Sequence, residues 1–204
     1  MKTFVSALAL VAVAGVAQGV TIFDVNTARI TATPIDGVFY APRDTGIIYD
    51  SSTTPSSGGT TVTAGQTIVE DYVSVGVDPT NQLLTHVFAG GVATANHVLF
   101  FNFYNAGGNF TGGYGVRLPQ AGNFVWTITL GQAIPIANVG YVGLIPDIGV
   151  TGTFRYTASA PTVGTSMDVA NGAPGYYRYK ITVPTPASGA LLGLGGLVAL
   201  RRRR

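Results

Sequence analysis

The chain has 204 residues, 47% hydrophobic and only 10% charged, with 28 glycines and no cysteine, which excludes a disulfide framework, a thiolate nucleophile and any cysteine metal site. Its formal charge of +2 belongs to the ends, in Lys2 and in Arg201, Arg202, Arg203 and Arg204. Residues 20–183 hold six basic side chains against nine acidic ones, a net of −3, so the basic surface that nucleic-acid binding requires is missing from the body.

The first twenty residues, MKTFVSALALVAVAGVAQGV, place a lysine before an apolar run and then small residues. This is the three-part layout of a secretory signal peptide. Ala17-Gln18-Gly19 supplies small side chains where the peptidase needs them, so cleavage is expected after Gly19, with Ala17 as the alternative. No polar stripe divides the run, as an amphipathic first helix would require. Residues 1–19 are therefore expected to be a signal helix, and the protein to be exported.

From residue 20 onward the pattern is that of strands and turns. Plentiful threonine, valine and aromatics favour strands, and glycine and proline punctuate them. In residues 68–75, Val69, Val73 and Val75 alternate with Glu70, Tyr72 and Ser74, and Asp71 interrupts the apolar face. Residues 83–88 form another candidate. In HVLFFNFY, residues 97–104, Leu99, Phe101 and Phe103 face one way, and Val98, Phe100, Asn102 and Tyr104 the other. Two largely apolar faces predict a central strand covered on both sides. NAGGNFTGGYG, residues 105–115, reads as a hairpin or long loop.

Further on, Phe124, Trp126, Ile128 and Leu130 alternate with Val125, Thr127 and Thr129 as a one-sided strand. Residues 139–145 and 151–159 follow. The last strand alternates Tyr177, Tyr179, Ile181 and Val183 with Tyr176, Arg178, Lys180 and Thr182, until Pro184 ends it. Turns are expected at 51–60, 78–82 and 171–175. Short strands at this spacing predict an all-β domain over residues 20–183, an antiparallel β-sandwich of jelly-roll-like type.

Chemistry-bearing constellations are sparse. His86 and His97, the only histidines, sit in strand patterns without metal-ligand spacing and read as packed or rim residues. Strand alternation sends Glu70 and Asp71 to opposite faces, so the pair cannot readily serve one site. No catalytic residue, metal or cofactor is expected. Calcium is the one ion for which a site can be drawn, from Asp71 with Asp44 or Asp50, without the loop motif that usually accompanies it. Aromatic residues offer a sugar-stacking platform as an alternative to a core role: Tyr104 and Trp126 are candidates, with Tyr114 and Tyr176 as the candidate glycan contacts.

The chain ends VPTPASGALLGLGGLVALRRRR. Residues 187–200 would make a helix about 21 Å long, short against a hydrocarbon core of about 30 Å. Arginines would hold its end on the cytoplasmic side. The proline motif Val183-Pro184-Thr185-Pro186, the apolar run and the stop signal of Arg201, Arg202, Arg203 and Arg204 resemble the PEP-CTERM sorting signal of exopolysaccharide-producing Gram-negative bacteria. Thr185 stands where that signal usually has glutamate. IIYDSS at 47–52, IVEDYVSV at 68–75 and LFFNFYN at 99–105 are similar to strand motifs of the sandwich domains such proteins carry. The resemblance implies a membrane-bound exosortase as processing partner, transient anchoring in the inner membrane, and delivery to the cell surface or extracellular matrix. A non-enzymatic envelope role is the expectation, with an exopolysaccharide-binding module as the alternative.

Overall fold

The computed structural model describes residues 20–35, 46–52, 56–75, 80–166 and 175–183. The signal segment, the proline motif after Val183, the apolar run and the arginine cluster lie outside them, as do Asp44 and the predicted turn before Gly175. Among the described residues every regular element is a β-strand, and these form two sheets, almost wholly antiparallel, that fit a β-sandwich.

One sheet has the order β1 (Thr21–Phe23), β8 (Phe110–Arg117), β7 (Val98–Asn105), β10 (Val139–Pro146), β5 (Ile68–Val73). Its β1–β8 pair is parallel. The other is built around β6 (Thr80–Val92), with β9 (Gly122–Ala137) along one edge and β2 (Arg29–Pro34) beyond it. Two partners share the opposite edge of β6. Residues 85–88 pair with β13 (Tyr179–Thr182), which carries β3 (Ile47–Asp50). Residues 90–92 pair with β11 (Thr151–Thr157), which carries β4 (Gly58–Thr63). The short β12 (Tyr176–Tyr177) continues along β11.

Alternation explains the core. Leu99, Phe101 and Phe103 of β7 meet Trp126, Ile128 and Leu130 of β9, and Tyr114, Val142 and Phe154 complete a single buried cluster between the sheets. Rings of this size each bury a large apolar area, and such burial is the main favourable term in folding. The Trp126 indole N–H is not stranded there; it donates to the Gly90 carbonyl at 3.0 Å.

Four local expectations are corrected. Residues 105–115 do form a hairpin, but its turn is confined to 105–109 and the glycine-rich stretch after it is strand β8, where glycines stand because side chains would collide. A Cβ on Gly112 would lie 2.6 Å from the Pro135 carbonyl oxygen of the facing sheet, and one on Gly115 would lie 2.9 Å from the Phe100 ring. Second, β5 turns its other face inward: Ile68 and Tyr72 join the core, which brings Glu70 to that side and sends Val69, Asp71 and Val73 outward. Third, the outer face of β7 is half-buried, not covered. Fourth, the last strand is interrupted at Arg178, whose N–H donates to the Arg155 carbonyl while its own carbonyl accepts from Ala89 N–H. There the chain passes from β11 to β6.

Residues 162–166 close one side of the sandwich. Asp50 N–H donates to the Val163 carbonyl at 3.0 Å, and Val73 and Thr165 exchange main-chain bonds at 2.7 and 2.9 Å. This strap thus bonds the edge strand β3 of one sheet and the edge strand β5 of the other. Gly164 occupies the left-handed region at φ 75°, where a Cβ would lie 2.5 Å from the Val73 carbonyl oxygen.

Candidate functional site

Among the described residues the buried polar side chains include Glu70 and two groups held together by hydrogen bonds or an ion pair. The first lies in the inter-sheet core, where His86 Nδ1 is 2.6 Å from the Tyr114 hydroxyl oxygen. The imidazole is ringed by aromatics, with Phe101 edge-on at a centroid distance of 4.8 Å and Phe103, Tyr179 and Phe88 near 6 Å. Nε2 has no hydrogen-bond partner among the described residues. Burial disfavours the imidazolium and lowers the His86 pKa to about 3. The same burial holds the Tyr114 hydroxyl well above the phenol range. The couple is neutral at physiological pH, and both side chains are fully buried.

The second group lies on the opposite face of β13 and β3. Lys180 and Asp50 are register partners on these strands, and their side chains form an ion pair, Nζ to Oδ2 3.3 Å, with both residues buried. Ser52 N–H caps the other carboxylate oxygen at 2.8 Å. Arg178, also buried, donates from Nη2 to the Ser52 carbonyl at 3.0 Å, and Ser51 Oγ donates to the Tyr177 carbonyl at 2.6 Å. On β5, the Asp71 carboxylate accepts from Ser166 Oγ at 2.8 Å, and its carbonyl accepts from the Tyr179 hydroxyl. These contacts tie the strap and the last strand to the sheet edges.

The sequence-derived candidates fall apart spatially. Tyr114 is 0% exposed and packed against Phe23, Phe101 and His86, so its ring offers no surface to a sugar. Trp126 is likewise buried. Tyr176 keeps partial exposure but belongs to the other sheet, at the end of β11, so the two tyrosines do not share a face. Val183 is bonded through its N–H to the Gly46 carbonyl at 2.9 Å, the last described link before Pro184. Among the described residues no cluster of three or more His, Asp or Glu side chains is placed to hold a metal ion. No described helix is long and apolar enough to cross a membrane.

A shallow cleft of about 170 Å³ lies where Val20 and Thr21 meet Phe110, Gly112, Gly113, Gln132, Ile134 and Pro135, a lining without titratable side chains. Of the sequence candidates Tyr104 lies on the outer face of the five-stranded sheet with Phe100 and Asn102, and what sequence reasoning missed is that Phe110 and Tyr141 join them there. Counting all of residues 105–115 as the connection of a hairpin or a long loop concealed the alignment of Phe110 with Tyr104. No family model, curated protein or solved structure was found to match this chain.

Proposed function

We propose that this is an exported, non-enzymatic β-sandwich protein of jelly-roll type from a Gram-negative envelope, sorted through a C-terminal PEP-CTERM-like signal that is removed. The observation that carries the proposal is the three-part tail, a proline motif followed by a short apolar run and four arginines. A helix of about 21 Å is short for a lasting anchor and suits a segment held briefly in the membrane. The two ends act together. The leader directs residues 20–183 outward, and the arginines keep the tail's end on the cytoplasmic side. An exosortase-type enzyme reads Pro184, Thr185 and Pro186 and severs the tail.

The body suits this route. It folds without cysteine, and its ordered main-chain bonding extends to Val183, so the motif follows the domain with no intervening linker. Mass spectrometry of the surface product from the native host tests the reading. Expected are an N-terminus at Val20 and loss of the residues beyond the proline motif. A mature product still ending in Arg204 would refute the sorting claim.

A further inference from the structure

The outer face of the five-stranded sheet is ordered in rows that run across the strands. Register places Phe110, Tyr104 and Tyr141 side by side on β8, β7 and β10. The neighbouring row is Gly113, Asn102 and Gly143, and the next joins Ile22, Gly115, Phe100 and Ile145. Two apolar ridges therefore flank a low row in which Asn102 is the only side chain contributed by β8, β7 and β10, with Val69 of β5 beyond Gly143.

The rings lean onto that low row. Cε2 of Tyr104 and Cε2 of Phe110 each approach within 3.3 Å of where a Cβ would stand on Gly143 and Gly113 respectively. Glycine at these positions lets the rings tip along the sheet instead of standing away from it. Tyr104 and Phe110 meet edge to face at 6.0 Å, Phe110 is 40% exposed and Ile22 44%.

The polar groups on the band are the Asn102 amide and the Tyr104 and Tyr141 hydroxyls. Asn102 Oδ1 is buried without a hydrogen-bond partner, and Asn102 Nδ2 has a 3.5 Å contact to the Tyr104 hydroxyl. Asp71, opposite Tyr141 at the far end, is the one charged side chain in these rows, and it accepts from Ser166.

We infer that this band binds a segment of neutral polysaccharide lying across the strands. Pyranose rings present apolar C–H faces and hydroxyl edges, and the band matches both, with aromatic rings for the faces and the Tyr104 and Tyr141 phenol groups for the edges. Strands about 4.8 Å apart space the Phe110, Tyr104 and Tyr141 row at intervals close to the length of one sugar unit. The absence of a free charge in these rows argues against an acidic or basic ligand. The inference does not depend on how the chain is sorted.

Affinity electrophoresis of the full chain through native gels containing dextran, xylan or hydroxyethylcellulose tests it. Retardation by at least one polymer is expected, unchanged by moderate salt because no ion pair is involved. Tyr104→Ala should weaken it about fivefold or more, while Tyr104→Phe should hold it within about twofold. If Tyr104→Ala fails to fold, Phe110→Ala at its more exposed position carries the same test. No retardation by any of the three polymers would overturn the inference, and so would retardation unaffected by the alanine variants. Concentration-dependent dimerisation abolished by the same substitutions would assign the band to a second copy and equally overturn it.

Discussion

The two buried polar groups, His86 with Tyr114 and Asp50 with Lys180, solve one problem in opposite ways. In the core the solution is neutrality. An imidazole surrounded by Phe101, Phe103 and Phe88 cannot hold a charge cheaply, so it stays unprotonated and meets a phenol at 2.6 Å. At the sheet edge the solution is pairing. Lys180 and Asp50 form an ion pair because cross-strand register sets them 3.3 Å apart, and Ser52 N–H bonds the carboxylate as well. A buried charge is tolerable with a partner at hand, and a buried base is tolerable without its proton. The first arrangement fails when a partner is removed, the second when the pH falls.

The largest expected effect therefore comes from breaking the ion pair. Asp50→Ala leaves the Lys180 ammonium buried opposite an empty position and should cost about 3–5 kcal/mol in urea unfolding. Replacing both members, Asp50→Leu with Lys180→Met, should recover most of that loss, since an apolar pair carries no desolvation penalty. A double variant as unstable as Asp50→Ala alone would show that the contribution comes from the capping bonds around Asp50, not from the pair of charges.

Acid should expose the other arrangement. The folded pKa of His86, about 3, lies below the ordinary histidine value near 6.5, so the unfolded chain binds the proton more readily. Stability from this group is complete above about pH 6.5 and is lost as pH falls toward 3. By pH 5 the loss should be about 2 kcal/mol. A His86→Phe variant should show a correspondingly shallower decline between pH 7 and 5. Wild type and variant declining in parallel would sink this assignment.

The sequence made the strand alternation legible and obscured the places where glycine or charge departs from the usual pattern, as well as the half-buried outer face of β7. Leu99, Phe101 and Phe103 alternate without interruption, as do Trp126, Ile128 and Leu130, and both sets face the core as alternation requires. Strand β8 was hidden because its glycines look like turn residues. Their reason lies in close approaches to Pro135 and Phe100, which are distant in sequence. The inner face of β5 was misjudged because Glu70 looked like a solvent residue, whereas Ile68 and Tyr72 carry it inward. Tyr114 as a candidate sugar contact failed for a related reason. A tyrosine assigned to a loop seems free, but in β8 its parity with Val116 directs it into the core. The aromatic band across Phe110, Tyr104 and Tyr141 needs the pairing of three strands, and no local pattern encodes that.

The smallest effect is also the most discriminating test of the core couple. Tyr114→Phe removes one oxygen and keeps the ring against Phe101 and Phe23. Its expected cost is about 1–2 kcal/mol, the penalty for leaving His86 Nδ1 buried without its partner. The same change in a His86→Phe background should cost less, because the hydroxyl there has already lost its nitrogen. The difference between the two costs measures the coupling across the 2.6 Å contact directly. Equal costs in both backgrounds would mean that the hydroxyl acts independently of the imidazole. Neutrality of the pair would then reflect desolvation alone, and Tyr114 would be in the core for its ring.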